Sequence, residues 1–164
     1  MINYYVYKNE PVEFSNWVKT FLNGTVETSL PEKHTSFYDQ AQELTKLGIK
    51  NVANNDNYGY YEAVYDHLDQ LILTFVAEHN LGLEETLVHI HKTLVSKNID
   101  YGNSFDEVVD LMGLSGAVIR VLDKANRLKS LRLVSNLVDE SVVDTELDFI
   151  GYLLLTLHYY QDKG

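Results

Sequence analysis

A chain of 164 residues is the length of one domain, and its 45% hydrophobic content is enough to bury a core. It carries 24 acidic against 13 basic side chains, a formal net charge of −11. That balance excludes a protein that holds nucleic acid by its phosphates or docks on an anionic membrane, since both need a basic surface. It suits a cationic partner, or a substrate delivered with a cation. Cysteine is absent, which removes disulfides, thiolate metal sites and a cysteine nucleophile, and fits a reducing compartment.

The first seven residues, MINYYVY, read as a short strand or an irregular aromatic lead, without the basic start and apolar run of a signal peptide. Val12, Phe14, Trp17, Val18, Phe21 and Leu22 recur at helical spacing, and Asn23-Gly24 predicts the stop. Thr35 to Leu47 is a second helix, capped by Thr35 or Ser36, with Gly48 just past its end. Asn51 to Asn57 reads as a loop. From Tyr58 to His79 an apolar face of Tyr61, Val64, Tyr65, Leu68, Leu71, Ile72, Phe75 and Val76 predicts a long helix, stopped by Asn80 and Gly82. Leu83 to about Asn98 follows, then a turn at Asp100 to Phe105. The last elements are a short helix at Asp106 to Met112, a longer one at Leu114 to Leu131, and a final one at Ser141 to Tyr160. The longest apolar stretch, Phe149 to Leu157, falls short of the roughly 20 residues that span a bilayer. With only two prolines to interrupt it, the chain reads as all-α, soluble and cytoplasmic.

Three places carry chemistry. In the final helix, Glu140, Asp144 and Asp148 fall within about 80° of one another at about 100° per residue. The same helix is apolar around most of its circumference, and burying an unpaired carboxylate costs several kcal/mol, so something positive should meet this stripe. Glu140 and Asp144 also fit the chemistry of a helix terminus, because Ser141 and Asp144 have the spacing of a capping box. Asp148 lies beyond the first turn and has no such explanation. In the preceding helix Arg120, Asp123, Lys124 and Arg127 share one face, opposite Val118, Val121, Leu122 and Ala125. The plain reading is a solvated face with Asp123 paired to Arg127. Three clustered cations in an acidic protein, beside carboxylates, also match a metal-bound polyphosphate, with acids on Mg²⁺ and cations on phosphate oxygens. The turn KNIDYGNSF offers Asn103 and Ser104 as donors and acceptors for a base or sugar. Glu62, Asp66 and Asp69 read as a solvated acidic stripe, and His89 and His91 are too isolated to be ligands. No Gly-rich phosphate loop, G-x-S-x-G or H-E-x-x-H occurs.

Taken together, Lys97…Asp100-Tyr101-Gly102-Asn103-Ser104-Phe105, Arg120…Asp123-Lys124…Arg127-Leu128 and Glu140-Ser141…Asp144-Thr145…Asp148…Tyr152 resemble the nucleotide modification associated domain 1 family. That family is common in phage and prophage genomes and is regarded as a divergent branch of the all-α nucleoside triphosphate pyrophosphatases, with MazG and the dimeric dUTPases. The resemblance covers about residues 83–160. It implies a helical bundle of that type, oligomeric (a dimer or tetramer), in which residues 1–57 form an N-terminal extension on a nucleotide-binding core of residues 58–164. It further implies Mg²⁺-dependent cleavage of a (deoxy)nucleoside triphosphate to monophosphate and pyrophosphate. Glu140, Asp144 and Asp148 would serve as catalytic and metal-binding acids. Arg120, Lys124 and Arg127 would neutralise phosphates, and Lys97, Tyr101, Asn103 and Ser104 would line the nucleoside side.

One departure stands out. The better-known relatives carry E-x-x-E and E-x-x-D, whereas this chain has Asp66-His67-Leu68-Asp69 and Thr145-Glu146-Leu147-Asp148. Either Glu140 and Asp144 replace the missing Glu, or hydrolysis is lost. In the second case the fold is a nucleotide-binding or protein-interaction module, one that sequesters a nucleotide or blocks a host factor.

Overall fold

A computed structural model describes residues 2–4, 12–25, 35–100, 103–133 and 139–163, except the side chains of residues 100, 139–141, 162 and 163. Among these residues the chain is all-helical: α1 (Val12–Thr25), α2 (Phe37–Ala53), α3 (Asn57–Glu78), α4 (Leu83–Asp100), α5 (Ser104–Met112), α6 (Leu114–Leu133) and α7 (Asp139–Lys163). Residues 2–4 have no regular structure, and the rest of the aromatic lead lies outside the described residues.

Several helices outrun their local stop signals, each for a tertiary reason. Asn23-Gly24 predicts an end, yet α1 continues to Thr25, whose hydroxyl donates to Asp69 Oδ1 of α3 at 3.1 Å. Helix α2 begins where expected, with Ser36 Oγ accepting from the Asp39 amide at 3.0 Å. It then runs through Gly48 to Ala53. Gly48 is there for close approach: a Cβ would sit 2.7 Å from Cε1 of Tyr60, a fully buried ring. The predicted loop at 51–57 shrinks to Asn54–Asp56, and Asp56 caps α3 by accepting from the Gly59 amide at 2.9 Å. Asn80 takes φ 51° after α3, and Gly113 takes φ 68°, ψ −153° between α5 and α6, a region open essentially to glycine. Helix α7 has already formed by Asp139. Ser141 therefore lies inside its first turn, which removes the capping box with Asp144.

The helices enclose a main core, with a smaller cluster of Phe105, Val109 and Ala117 beside it. Helix α2 packs between α3 and α6, α7 lies against α6 and α3, and α1 rests on α4 and α7. Phe37 of α2 meets Phe75 of α3 and Phe149 of α7 edge-on, with centroids 6.4 and 5.9 Å apart. Phe14, Val18 and Leu22 of α1 belong to the main core, as do Phe149, Ile150, Leu153, Leu154 and Leu157 of α7.

A part-buried polar contact joins the C-cap of α3 to α7. His79 Nε2 lies 2.5 Å from Glu146 Oε1, and the Glu146 side chain is only 7% exposed. Burial pushes the Glu146 carboxyl above its ordinary value of 4.5, with the His79 contact opposing. A raised carboxyl pKa means that the folded chain holds the proton more tightly than the unfolded chain. The stabilisation from that proton is complete below the unfolded value and is lost as pH rises through the folded one. Thermal melts between about pH 4 and pH 7 should show wild type losing stability relative to Glu146→Gln as pH rises. A constant difference between the two proteins across that range would contradict this.

Candidate functional site

Two helical stripes face each other where α4 and α7 stand apart. Ile90, Thr93, Leu94, Lys97 and Asn98 come from α4, and Leu147, Asp148, Gly151, Tyr152 and Leu155 come from α7. Both sets repeat at i, i+3/i+4, the spacing of one helix face. Ser104 and Phe105 at the start of α5, with Arg120 of α6, complete a cavity of about 410 Å³. The phenyl ring of Phe105 lies 6.2 Å from the Tyr152 ring at 30° and helps build an aromatic wall.

The polar end of the cavity is organised around Asp148. Lys97 Nζ from α4 reaches Oδ1 at 2.8 Å, and Lys124 Nζ from α6 reaches Oδ2 at 3.2 Å. The expectation that a positive group meets this carboxylate is met by two of them. None of the three is deeply buried: the side chains are 51% exposed for Lys97 and 30% for both Asp148 and Lys124. Ion pairs this wet contribute roughly 0.2–1 kcal/mol each. Arg120 lines the same cavity and makes no ion pair with a described residue.

Of the residues singled out from sequence, the cavity gathers Lys97, Ser104, Arg120 and Asp148, with Lys124 touching its wall through Asp148. Asp144 is exposed one turn earlier on α7 and does not line it. Arg127 is exposed one turn beyond Lys124 on α6. Asn103 is exposed in a left-handed conformation (φ 65°, ψ 31°) just before α5. Tyr101 lies outside the described residues, as does the side chain of Glu140. The acidic stripe is solvated as expected at Glu62 and Asp66, while Asp69 accepts from Thr25. His91 is fully buried with its Nε2 3.0 Å from Ser15 Oγ, and neither residue reaches the cavity.

Mg²⁺ takes near-octahedral oxygen ligands and is commonly held by one or two carboxylates plus substrate phosphates. Among the described residues Asp148 is the single carboxylate on the cavity wall, and both its oxygens face ammonium groups. No group of three or more acids and histidines able to hold a metal occurs among the described residues. These side chains do not make a metal site by themselves.

Sequence reasoning missed Asn98, Thr93 and Gly151. The signal for Gly151 was a glycine in the middle of an otherwise apolar helix. It leaves space: a Cβ there would meet Leu94 Cδ1 across the cavity at 3.6 Å, ordinary van der Waals contact. A second depression, between α2 and α3, is lined by Glu43, Lys46, Lys50 and His67 and gathers none of the candidate catalytic, metal or substrate-binding residues. No helix among the described residues is long and apolar enough to cross a membrane. No family model, curated protein or solved structure matches the chain.

The Gly151 geometry yields a test. Gly151→Ala removes a mid-helix glycine without a clash, so urea unfolding should show a gain of about 1 kcal/mol, with a cavity one methyl smaller. A loss of stability would mean that the α4–α7 spacing is tighter than described.

Proposed function

We propose that the α4–α7 cavity binds a nucleoside triphosphate. The observation that carries this reading is the convergence of Lys97 and Lys124, from two different helices, beside Arg120 at one end of a largely apolar cavity. Phosphates bind where charge-assisted hydrogen bonds are already aimed. The aromatic and aliphatic remainder, with Tyr152 on the wall and Ser104 and Asn98 as polar anchors, suits a base and sugar. The volume of about 410 Å³ falls within the range of roughly 300–1,000 Å³ usual for small-ligand sites. The net charge of −11 fits this reading, since an acidic outer surface repels long polyanions while a small cationic recess admits a short one.

Hydrolysis to monophosphate and pyrophosphate is the second reading. Its support is the resemblance to the nucleotide modification associated domain 1 family, and the position of Asp148 on the wall with Asp144 one turn before it. Within that reading Asp148 is the acid nearest the phosphates. Self-association belongs to both readings. It is supported by apolar surface at the α5–α6 corner, where Leu111 is 84% and Met112 64% exposed.

Titration of the protein with each NTP and dNTP, with and without Mg²⁺, tests the first reading, and pyrophosphate assays on the same samples test the second. The expected result is saturable triphosphate binding that weakens about tenfold or more in Arg120→Ala, as loss of a charge-assisted contact requires. Pyrophosphate release that disappears in Asp148→Asn makes the protein a pyrophosphohydrolase. Binding without release leaves it a binding module. No binding of any triphosphate contradicts both readings.

A further inference from the structure

The pairing of Asp148 bears on how the cavity receives its ligand. The carboxylate lies between two ammonium groups from different helices, one on each oxygen, at 2.8 and 3.2 Å. That arrangement of two oxygens facing two separated cations is the one a phosphate group presents. The pairs are too exposed to be needed for stability, at roughly 0.2–1 kcal/mol each. The position of α7 is already set by Phe149, Ile150, Leu153 and Leu154, all fully buried. What the carboxylate does accomplish is local. It brings Lys97 and Lys124 to one carboxylate at the cavity and offsets the repulsion between their ammonium groups.

We propose that Asp148 is a resident counterion, an internal stand-in for a ligand phosphate, which an incoming polyphosphate must displace from Lys97 and Lys124. The inference rests on the reading of the cavity as a phosphate-ligand site. Its consequence has a definite sign. With Asp148 in place, the charge of Lys97, Lys124, Arg120 and Asp148 is 3 − 1 = +2. Neutralising the carboxylate makes it +3 and removes the competitor at the same time. A role for Asp148 as a direct ligand contact has the opposite sign, because its loss would weaken binding.

The test uses inorganic tripolyphosphate in EDTA, so that neither base preference nor a divalent cation enters. Calorimetric titration should show Asp148→Asn binding it on the order of tenfold more tightly than wild type, as expected for removing one like charge within a few ångströms of the ligand. Lys124→Gln should bind it more weakly. Asp123→Asn, which removes an exposed charge next to Lys124 in the chain, should change the affinity less than twofold. Thermal melts confirm that each variant is folded, and Asp148→Ser, also neutral, serves in place of Asp148→Asn if the latter is not, with the same tighter binding expected. Wild-type binding with weaker binding by Asp148→Asn overturns the counterion role and leaves the phosphate site standing. Equal gains in Asp148→Asn and Asp123→Asn also overturn it, since the effect is then only net charge. No tripolyphosphate binding by wild type or any variant overturns the phosphate site and the counterion role with it.

Discussion

Helix α7 must be covered on nearly every side, and the rest of the molecule is arranged to do this. Phe149, Ile150, Leu153, Leu154 and Leu157 are 0–1% exposed, and burial of each such side chain is worth roughly 1.5–3 kcal/mol. Helices α1, α3, α4, α5 and α6 all pack against α7. The cover opens along the stripe from Leu147 and Asp148 through Gly151 and Tyr152 to Leu155, where α4 stands off and leaves the cavity. The candidate site is thus a gap in the packing around α7. Its walls are held by core side chains and not by its own polar contacts.

That separation between what holds the fold and what lines the site explains the use of charge. The part-buried pair of His79 and Glu146 ties the end of α3 to α7 beside the packed interior. The Lys97–Asp148–Lys124 cluster sits in a wetter place, where ion pairs contribute little to stability but are free to exchange partners. One acid, Glu146, is enclosed and spoken for. Another, two residues on, faces an opening with two cations.

Much of this architecture was legible in the sequence because it follows from periodicity. Among the described residues the order of the helices, the Ser36 cap and the break at Gly113 come from local chemistry, while some helix ends were moved by tertiary packing. Glycines were the weak point. Gly48 reads as a stop by itself but serves a close approach to Tyr60, 12 residues along the chain, which no local rule contains. Gly24 fails as a stop because Thr25 has a partner on α3. At the site, charge spacing located Asp148 and the cationic face of α6. It set Asp148 apart from Asp144 only by its distance from the helix start, whereas the position of α4 is what brings Asp148 and not Asp144 to the cavity. The α4 wall was read as an ordinary amphipathic face, since Leu94 and Ile90 look the same whether they meet a neighbouring helix or an opening. The pairing of Asp148 with Lys97 was not legible either. Fifty-one residues separate them in the chain, and nothing short of the fold brings them together.

The central claim is that the cavity between α4 and α7 is a phosphate-ligand site whose cations are shared with Asp148. A crystal structure of the protein with a bound nucleoside triphosphate tests it most directly. The account predicts phosphate oxygens within hydrogen-bond distance of Lys97, Lys124 and Arg120, with the Asp148 carboxylate released from at least one lysine. A triphosphate bound elsewhere, with Asp148 still joined to both lysines, would contradict it.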